Sequence, residues 1–409
     1  MRTGTLRSGL RYAVRKSGSA VAYCALSIRC GTRSEGDLPS GIAHFTEHTI
    51  FKGTAHRSAS NISSCLDRLG GELNAFTTKE EIVIHSTVLK EDIWKAVKLL
   101  LELATEPSFP KKEVDTERGV VIDEINSYKD SPADDIFDKF EEALFEGHPL
   151  GKSILGTAAS VRKIKSAELR SFTEREFRPE RMALSIVADL DESTMEKKAS
   201  RVVAGFFPAD APAELPAPSA DSITPHIFDR TVSKRNHEAN AVIGSTAPSL
   251  YEEHERLTAI LLGNILGGPG SNSLLNATLR EKNGWVYGVE CSYTQYTDTG
   301  IMAISLGCEK ANLEKCFRTI DRILLKLRTE PLSEQKLKAA KKQLLGQLAI
   351  GSDNGETQVL SMGRSMLAFG RVAPDEETKA SIDRISSEDI LAMANRIFAP
   401  GRLSRLIFL

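Results

Sequence analysis

The stretch TEPSFPKKEVDTERGVVIDEI at residues 105–125 returns in outline as TEPLSEQKLKAAKKQLLGQL at residues 329–348. Both copies open on Thr-Glu-Pro, and both follow a helical pattern, Trp94 to Leu103 in one case and Leu313 to Leu327 in the other. When Phe109–Ile125 is laid on Leu332–Leu348 the apolar positions coincide while the acids do not. Glu117 falls on Ala340, and Glu124 falls on Gln347. A shared apolar frame with unshared acids is the mark of a duplicated unit in which one copy carries additional chemistry.

Outward from that repeat, the run PADAPAELPAPSADSITP at 208–225 lacks helical and strand periodicity and reads as a linker. It divides the 409 residues into a first domain at 1–207 and a second at 226–409. Each opens on apolar, strand-like runs: Arg11 to Val14 and Ala20 to Ile28 in the first, Ile227 to Val232 and Ala239 to Ile243 in the second. Each then turns helical, so both read as α+β. Lys111 to Lys129 is expected to form one helix.

The 41% hydrophobic and 26% charged fractions exclude disordered, collagen-like and coiled-coil classes. A net charge of -2, from 53 Lys+Arg and 55 Asp+Glu, gives no electrostatic reason to expect nucleic acid or an anionic membrane as partner. No signal-peptide pattern or membrane span is evident, so a cytoplasmic location is expected. The six cysteines are dispersed, without a Cys-x-x-Cys pair, and read as reduced.

The chemistry concentrates in Gly41-Ile-Ala-His44-Phe-Thr-Glu47-His48-Thr-Ile-Phe51. On a helix, at about 100° per residue, His44 and His48 lie one turn apart with Glu47 beside them, so both imidazoles can approach one cation. Zinc favours imidazole nitrogen, and a catalytic zinc needs a third protein ligand. The 111–129 helix offers Glu113, Asp115, Glu117, Asp123 and Glu124. Glu117 and Glu124 share a face with Val114, Val120 and Val121, which points that face inward. On the residues alone, two readings stand: a metal site, or a surface helix that carries two histidines by accident.

His44-x-x-Glu47-His48 followed by Glu124 resembles the inverted zinc motif of the insulinase, pitrilysin and mitochondrial processing peptidase family. Phe51-Lys-Gly-Thr54, Gly70-Gly71, Asn74-Ala75-Phe76-Thr77, Glu117-Arg118 and His148-Pro-Leu-Gly151 extend the likeness over essentially the whole chain. The resemblance is to the short, single-chain bacterial type. It implies two homologous domains, each a β-sheet covered by α-helices. It also implies one Zn2+ per chain on His44, His48 and Glu124, with Glu47 as general base and Glu117 orienting a ligand. The implied activity is that of a zinc endopeptidase acting on peptides or unfolded polypeptide segments. In the family an edge strand receives the substrate as an added strand, which makes Asn74, Ala75 and Phe76 the expected substrate contacts.

In the second half, Leu279-Arg280-Glu-Lys-Asn-Gly-Trp-Val-Tyr287 resembles the family segment whose Arg and Tyr reach over the active site. There Arg280 would hold the substrate backbone and Tyr287 would donate to the oxyanion. Gly267-Gly268-Pro269-Gly270 lacks the spacing of a phosphate or dinucleotide loop and reads as a turn between helices. Family members of about twice this length enclose substrate between two halves, which implies a homodimer here, or a heterodimer with a related chain. The rival expectation is a non-catalytic scaffold or partner subunit, whose metal motif would usually be broken.

Overall fold

The computed structural model describes residues 1–208, 223–234 and 238–409. The first half contains β1 (Arg2–Thr5), β2 (Arg11–Lys16), β3 (Val21–Ile28), α1 (Ile42–Ile50), α2 (Ala59–Asp67), β4 (Glu72–Thr77) and β5 (Ile82–Leu89). After these come α3 (Ile93–Thr105), α4 (Lys111–Lys129), α5 (Pro132–Leu144), α6 (Ala158–Val161), α7 (Ser166–Glu176), β6 (Met182–Ala188) and α8 (Glu192–Phe206). The second half repeats the pattern with β7 (Asp229–Val232), β8 (Glu238–Ala247), α9 (Glu253–Gly267), β9 (Val286–Gln295) and β10 (Gly300–Glu309). Its remaining elements are α10 (Leu313–Thr329), α11 (Glu334–Gly351), α12 (Gly355–Phe369), α13 (Asp375–Asp383), α14 (Ser387–Phe398) and β11 (Ser404–Phe408).

The sheets repeat as well. The first runs β1-β2-β6-β3-β5-β4 and the second β7-β11-β8-β10-β9. The pairs β2–β6 and β7–β11 are parallel, and every other pair is antiparallel. The expected α+β architecture of two homologous, helix-covered sheets is therefore what the chain forms. The repeat quoted above maps onto α3–α4 and α10–α11, and Val114 and Val121 are buried as Leu337 and Leu344 are.

The chain nevertheless does not fold as two contiguous halves. One compact unit takes Ile350–Ala373 in addition to N-terminal chain, and the other takes Ser127–Gly151 in addition to C-terminal chain. These bounds depart from the stretches 1–207 and 226–409. Of the linker expected at 208–225, residues 209–222 lie outside the described residues. The reason for the exchange is burial of the second face of each sheet. In the first unit Val359, Met362, Met366 and Leu367 of α12 cover Ala13, Ala25, Val83, Ala183 and Val187. In the second unit Ile136, Phe140 and Leu144 of α5 cover Val242, Ile301, Ala303, Leu406 and Phe408. The Arg11 guanidinium anchors the last turn of α12 by donating to the carbonyls of Met366 (3.1 Å) and Leu367 (2.9 Å).

Two local devices position the elements of the first unit. Gly363 lets α12 lie flat on the sheet, since a Cβ there would sit 2.3 Å from the Ser27 Oγ. Glu35, fully buried, caps α1 from outside the helix: its Oε1 accepts from the backbone N–H of Gly41 (2.9 Å) and of Ala43 (3.4 Å). Gly41 itself adopts φ +90°, a conformation that favours glycine. Burial pushes the Glu35 carboxyl up to about 7, against the opposing pull of the two N–H groups, Lys152 and Lys79.

Each device gives a measurable expectation. Gly363→Ala should lower the urea midpoint by an amount equivalent to about 1–3 kcal/mol, the usual cost of overpacking. Gly346→Ala, on an open face of α11 with nothing within 4 Å, should instead gain up to about 1 kcal/mol. Equal shifts would mean that α12 does not need the close approach. For Glu35 the folded pKa lies above its ordinary 4.5, so the fold favours the protonated form. Its contribution is complete below pH 4.5 and is lost as pH rises through about 7. Relative to Glu35→Gln, which keeps the acceptor and has no titrating proton, the wild type should lose on the order of 3 kcal/mol across that window. A stability gap that does not change with pH would refute this.

Candidate metal centre

The helix expected at 44–48 is α1, whose face of Ile42, Phe45, Thr49 and Ile50 is buried and fixes its rotation. His44 and His48 are therefore held one above the other, with ring centroids 4.6 Å apart. The helix expected at 111–129 is α4, with Val114, Glu117, Val121 and Ile125 turned inward. It brings Glu124 to both imidazoles: Oε1 lies 3.7 Å from His44 Nε2 and Oε2 lies 3.3 Å from His48 Nε2. One donor atom from each of His44, His48 and Glu124 lies within 4.8 Å of the others. Two imidazole nitrogens and one carboxylate oxygen around a common point form a donor set that suits a borderline cation such as zinc.

The surroundings suit that use. Burial, reinforced by the neighbouring His48, pushes His44 down to about 3, so its imidazole is neutral at ordinary pH. Its Nδ1 is buried with no hydrogen-bond partner among the described residues. That leaves Nε2, facing Glu124, as the nitrogen placed to bind. On the other ring, His48 Nδ1 meets Glu117 Oε1 at 3.0 Å, and the other oxygen of Glu117 meets Lys52 Nζ at 2.8 Å. A buried carboxylate that accepts from Nδ1–H leaves the Nε2 lone pair free for a metal, the usual arrangement behind a ligating histidine.

Glu47, between the two histidines in sequence, points to the edge strand: the Thr77 hydroxyl donates to its Oε2 at 2.9 Å. Burial raises the Glu47 carboxyl above its ordinary range, while Thr77 and His48 pull it back. β4 is the outermost strand of its sheet, and its residues alternate between exposed and half-buried along Glu72–Thr77. Asn74 and Ala75 line a cavity beside Glu47, and Phe76, on the face of the strand opposite Ala75, has its ring against His85. His85 is a packed strand residue whose Nδ1 meets Glu356 at 3.1 Å.

Arg280 and Tyr287 belong to the second unit. Arg280 lies on a π-helical segment, Asn276–Lys282, and Tyr287, on the edge strand β9, is 59% exposed. Neither is in that unit's core. In the same unit the residue that aligns with Glu124, Gln347, accepts from the Asn264 amide of α9 at 2.5 Å. Three contacts of the site were not assigned from sequence: Thr77 to Glu47, Lys52 to Glu117, and Glu35 to the start of α1. Thr77 and Lys52 stood inside the motifs Asn74–Thr77 and Phe51–Thr54, so position in a motif was the available signal.

Comparison with known proteins bears on this geometry. Residues 11–158 match the family described as insulinase (peptidase family M16), and residues 163–344 match the one described as peptidase M16 inactive domain. A protein of Mycobacterium leprae named an uncharacterized zinc protease is 32% identical over 96% of this chain and 88% of its own length. Another of that description, from Bacillus subtilis, is 28% identical over 98% and 97% of the two chains. Among solved structures, a protease from Helicobacter pylori superposes with a TM-score of 0.90 at 18% identity, covering 100% of this chain and 98% of the other, which is a likeness of fold. Among the described residues no helix is long and apolar enough to cross a membrane. With both domain matches in order along the chain, and a relative 32% identical over nearly all of it, the chain belongs to the insulinase family of peptidases, M16.

Proposed function

We propose that the chain is a zinc-dependent endopeptidase that hydrolyses peptides or unfolded polypeptide segments. The observation that carries this reading is the convergence of His44, His48 and Glu124 with Glu47 alongside. His44, His48 and Glu124 would hold one Zn2+. When bound, zinc supplies Lewis acidity, polarising a peptide carbonyl and bringing the pKa of water to about 7. Glu47 takes the proton of the attacking water and passes it to the leaving amine. Glu117 keeps the His48 ring in place, and Lys52 balances the charge of Glu117. The exposed edge of β4 offers backbone donors and acceptors to an extended substrate, with Asn74, Ala75 and Phe76 as contacts, which suits unrelated sequences. Retention of the whole donor set together with Glu47 weighs against a purely scaffolding role.

Metal content and peptide hydrolysis, measured on the same preparations, test this. Glu47→Gln should keep the zinc and lose at least about 10²-fold in hydrolysis. Glu124→Gln should lower zinc affinity well beyond the roughly 10- to 100-fold expected of Glu117→Gln. A Glu47→Gln protein with more than about a tenth of wild-type activity would remove Glu47 as the base. Zinc loss that is equal in the two other variants would mean the acids are assigned the wrong way round.

In this reading the working form is a homodimer, in which Arg280 and Tyr287 of one copy serve the zinc site of the other. Their exposure on a unit that supplies none of these three ligands supports a role toward another body. Co-expressed Glu47→Gln and Tyr287→Phe chains would then form mixed dimers with one intact site, and about a quarter of wild-type activity should return after random pairing. Mixed dimers no more active than their parents would exclude shared sites.

A further inference from the structure

All six cysteines are free, and two of them meet in the core of the second unit. Cys308 is the second-last residue of β10 and Cys316 the fourth residue of α10, and both are fully buried. The Cys308 thiol donates a hydrogen bond to the Cys316 sulfur. Packing does not require sulfur at either place. In the first unit β5 passes into α3 through the same three-residue 3₁₀ turn, and the matching positions are Val88 and Ala96, both buried. One copy of the duplicated frame fills the two places with hydrocarbon, and the other sets two thiols against each other.

The contact makes the thiols unequal. The hydrogen bond from Cys308 lowers the Cys316 thiol against the effect of burial, with help from Lys315, and the same bond holds Cys308 well above its ordinary range. Cys316 also lies near the start of α10, where the helix N–H groups favour a thiolate. That first turn has no side-chain cap among the described residues, and Glu309, Lys310, Glu314 and Lys315 around it are exposed. An uncapped first turn is where a helix opens most readily, which gives a small oxidant access to Cys316.

Tyr287 stands next to this pair. Along β9, Gly288 faces Gly307 and Val286 faces Cys308, so Tyr287 is the extra residue of a bulge. The bulge is why Tyr287 and Gly288 are both exposed between the buried Val286 and Val289. From the helix side, the Lys315 ammonium lies 5.8 Å from the centre of the Trp285 ring. Cys308 thus adjoins the strand, and Cys316 the helix turn, that flank Tyr287.

We propose that Cys308 and Cys316 are a redox site that a hydroperoxide converts to a disulfide, and that the new bond displaces Tyr287. The Cys316 sulfur attacks the peroxide, the O–O bond breaks, and water or an alcohol leaves as Cys316 becomes a sulfenic acid. The Cys308 sulfur then attacks Cys316 and forms the S–S bond, while the S–O bond breaks and the oxygen leaves as water with the Cys308 proton. Each thiol loses one hydrogen, and the peroxide takes up two electrons. A covalent bond holds two sulfurs closer than a hydrogen bond does, so it draws the first turn of α10 against the bulge. The effect on turnover rests on the peptidase reading of the site; the disulfide and the movement do not.

The test treats the full-length protein with hydrogen peroxide and maps its alkylated peptides by mass spectrometry. Cys308 and Cys316 should appear joined, at least about tenfold faster than Cys24 and Cys291, which are also buried, become oxidised. Cys308→Val should stop at a sulfenic acid on Cys316, which dimedone traps. Emission of Trp285, read in a Trp94→Phe background, should shift on oxidation, return with dithiothreitol and stay fixed in Cys316→Ala. Val88 and Ala96 fill these places in the first unit, so both cysteine variants should fold, with the unfolding midpoint as control. Peptide hydrolysis should fall about 10- to 100-fold in the linked wild type and recover on reduction. A pair oxidised no faster than Cys24 and Cys291, or a linked protein with unmoved Trp285 emission, overturns the proposal. Hydrolysis that continues unchanged in the linked protein overturns the displacement of Tyr287 and leaves the peptidase reading standing. Linked peptides with shifted emission, in a protein that cuts nothing in either state, support the proposal and overturn the peptidase reading.

Discussion

Glu117 is a carboxylate placed where water barely reaches, and its two oxygens are taken by His48 on one side and Lys52 on the other. An ionised acid is tolerated in such a place only with partners of this kind. The contact fixes the rotation of α4 against α1, because the inward face of α4 cannot turn without stranding that charge. Glu124, two turns further on the same face, is thereby carried to His44 and His48. The donor set is thus a consequence of how one buried acid is satisfied.

The second unit shows the same frame relieved of its charges. The position that matches Glu117 is Ala340, and the position that matches Glu124 is Gln347, which bonds to Asn264. Two neutral amides can satisfy each other without a cation, whereas two imidazoles and a carboxylate gain from one. Duplication preserved the apolar positions of α4 and α11 because the core demands them, and left the polar positions free to diverge.

Much of this could be read from the sequence, and the limit was distance along the chain. The bounds of α4 and the inward face holding Glu117 and Glu124 follow from local periodicity, while the edge strand at Asn74–Thr77 came with the family resemblance. The third ligand needed the family resemblance, because periodicity narrows five acids to Glu117 and Glu124 and does not say which of the two meets the histidines. The Glu35 cap lay in a loop without periodicity. Least legible were α5 and α12. Their amphipathic patterns say that one face is buried, but no local feature says under which sheet, and each lies in the unit opposite to its place in the sequence.

That exchange of helices has a bearing on how the chain is made. Synthesis proceeds from the N-terminus, and the sheet of the unit that carries His44 and His48 has its second face open until α12, which ends at Phe369, has emerged. Ala13, Ala25, Val83, Ala183 and Val187 then wait for a partner through most of translation. Contacts of such sequence separation are slow to form, and uncovered apolar faces invite association between nascent chains. Neither half of the sequence is a folding unit, so a ribosome that stops between the halves releases a sheet with a bare side.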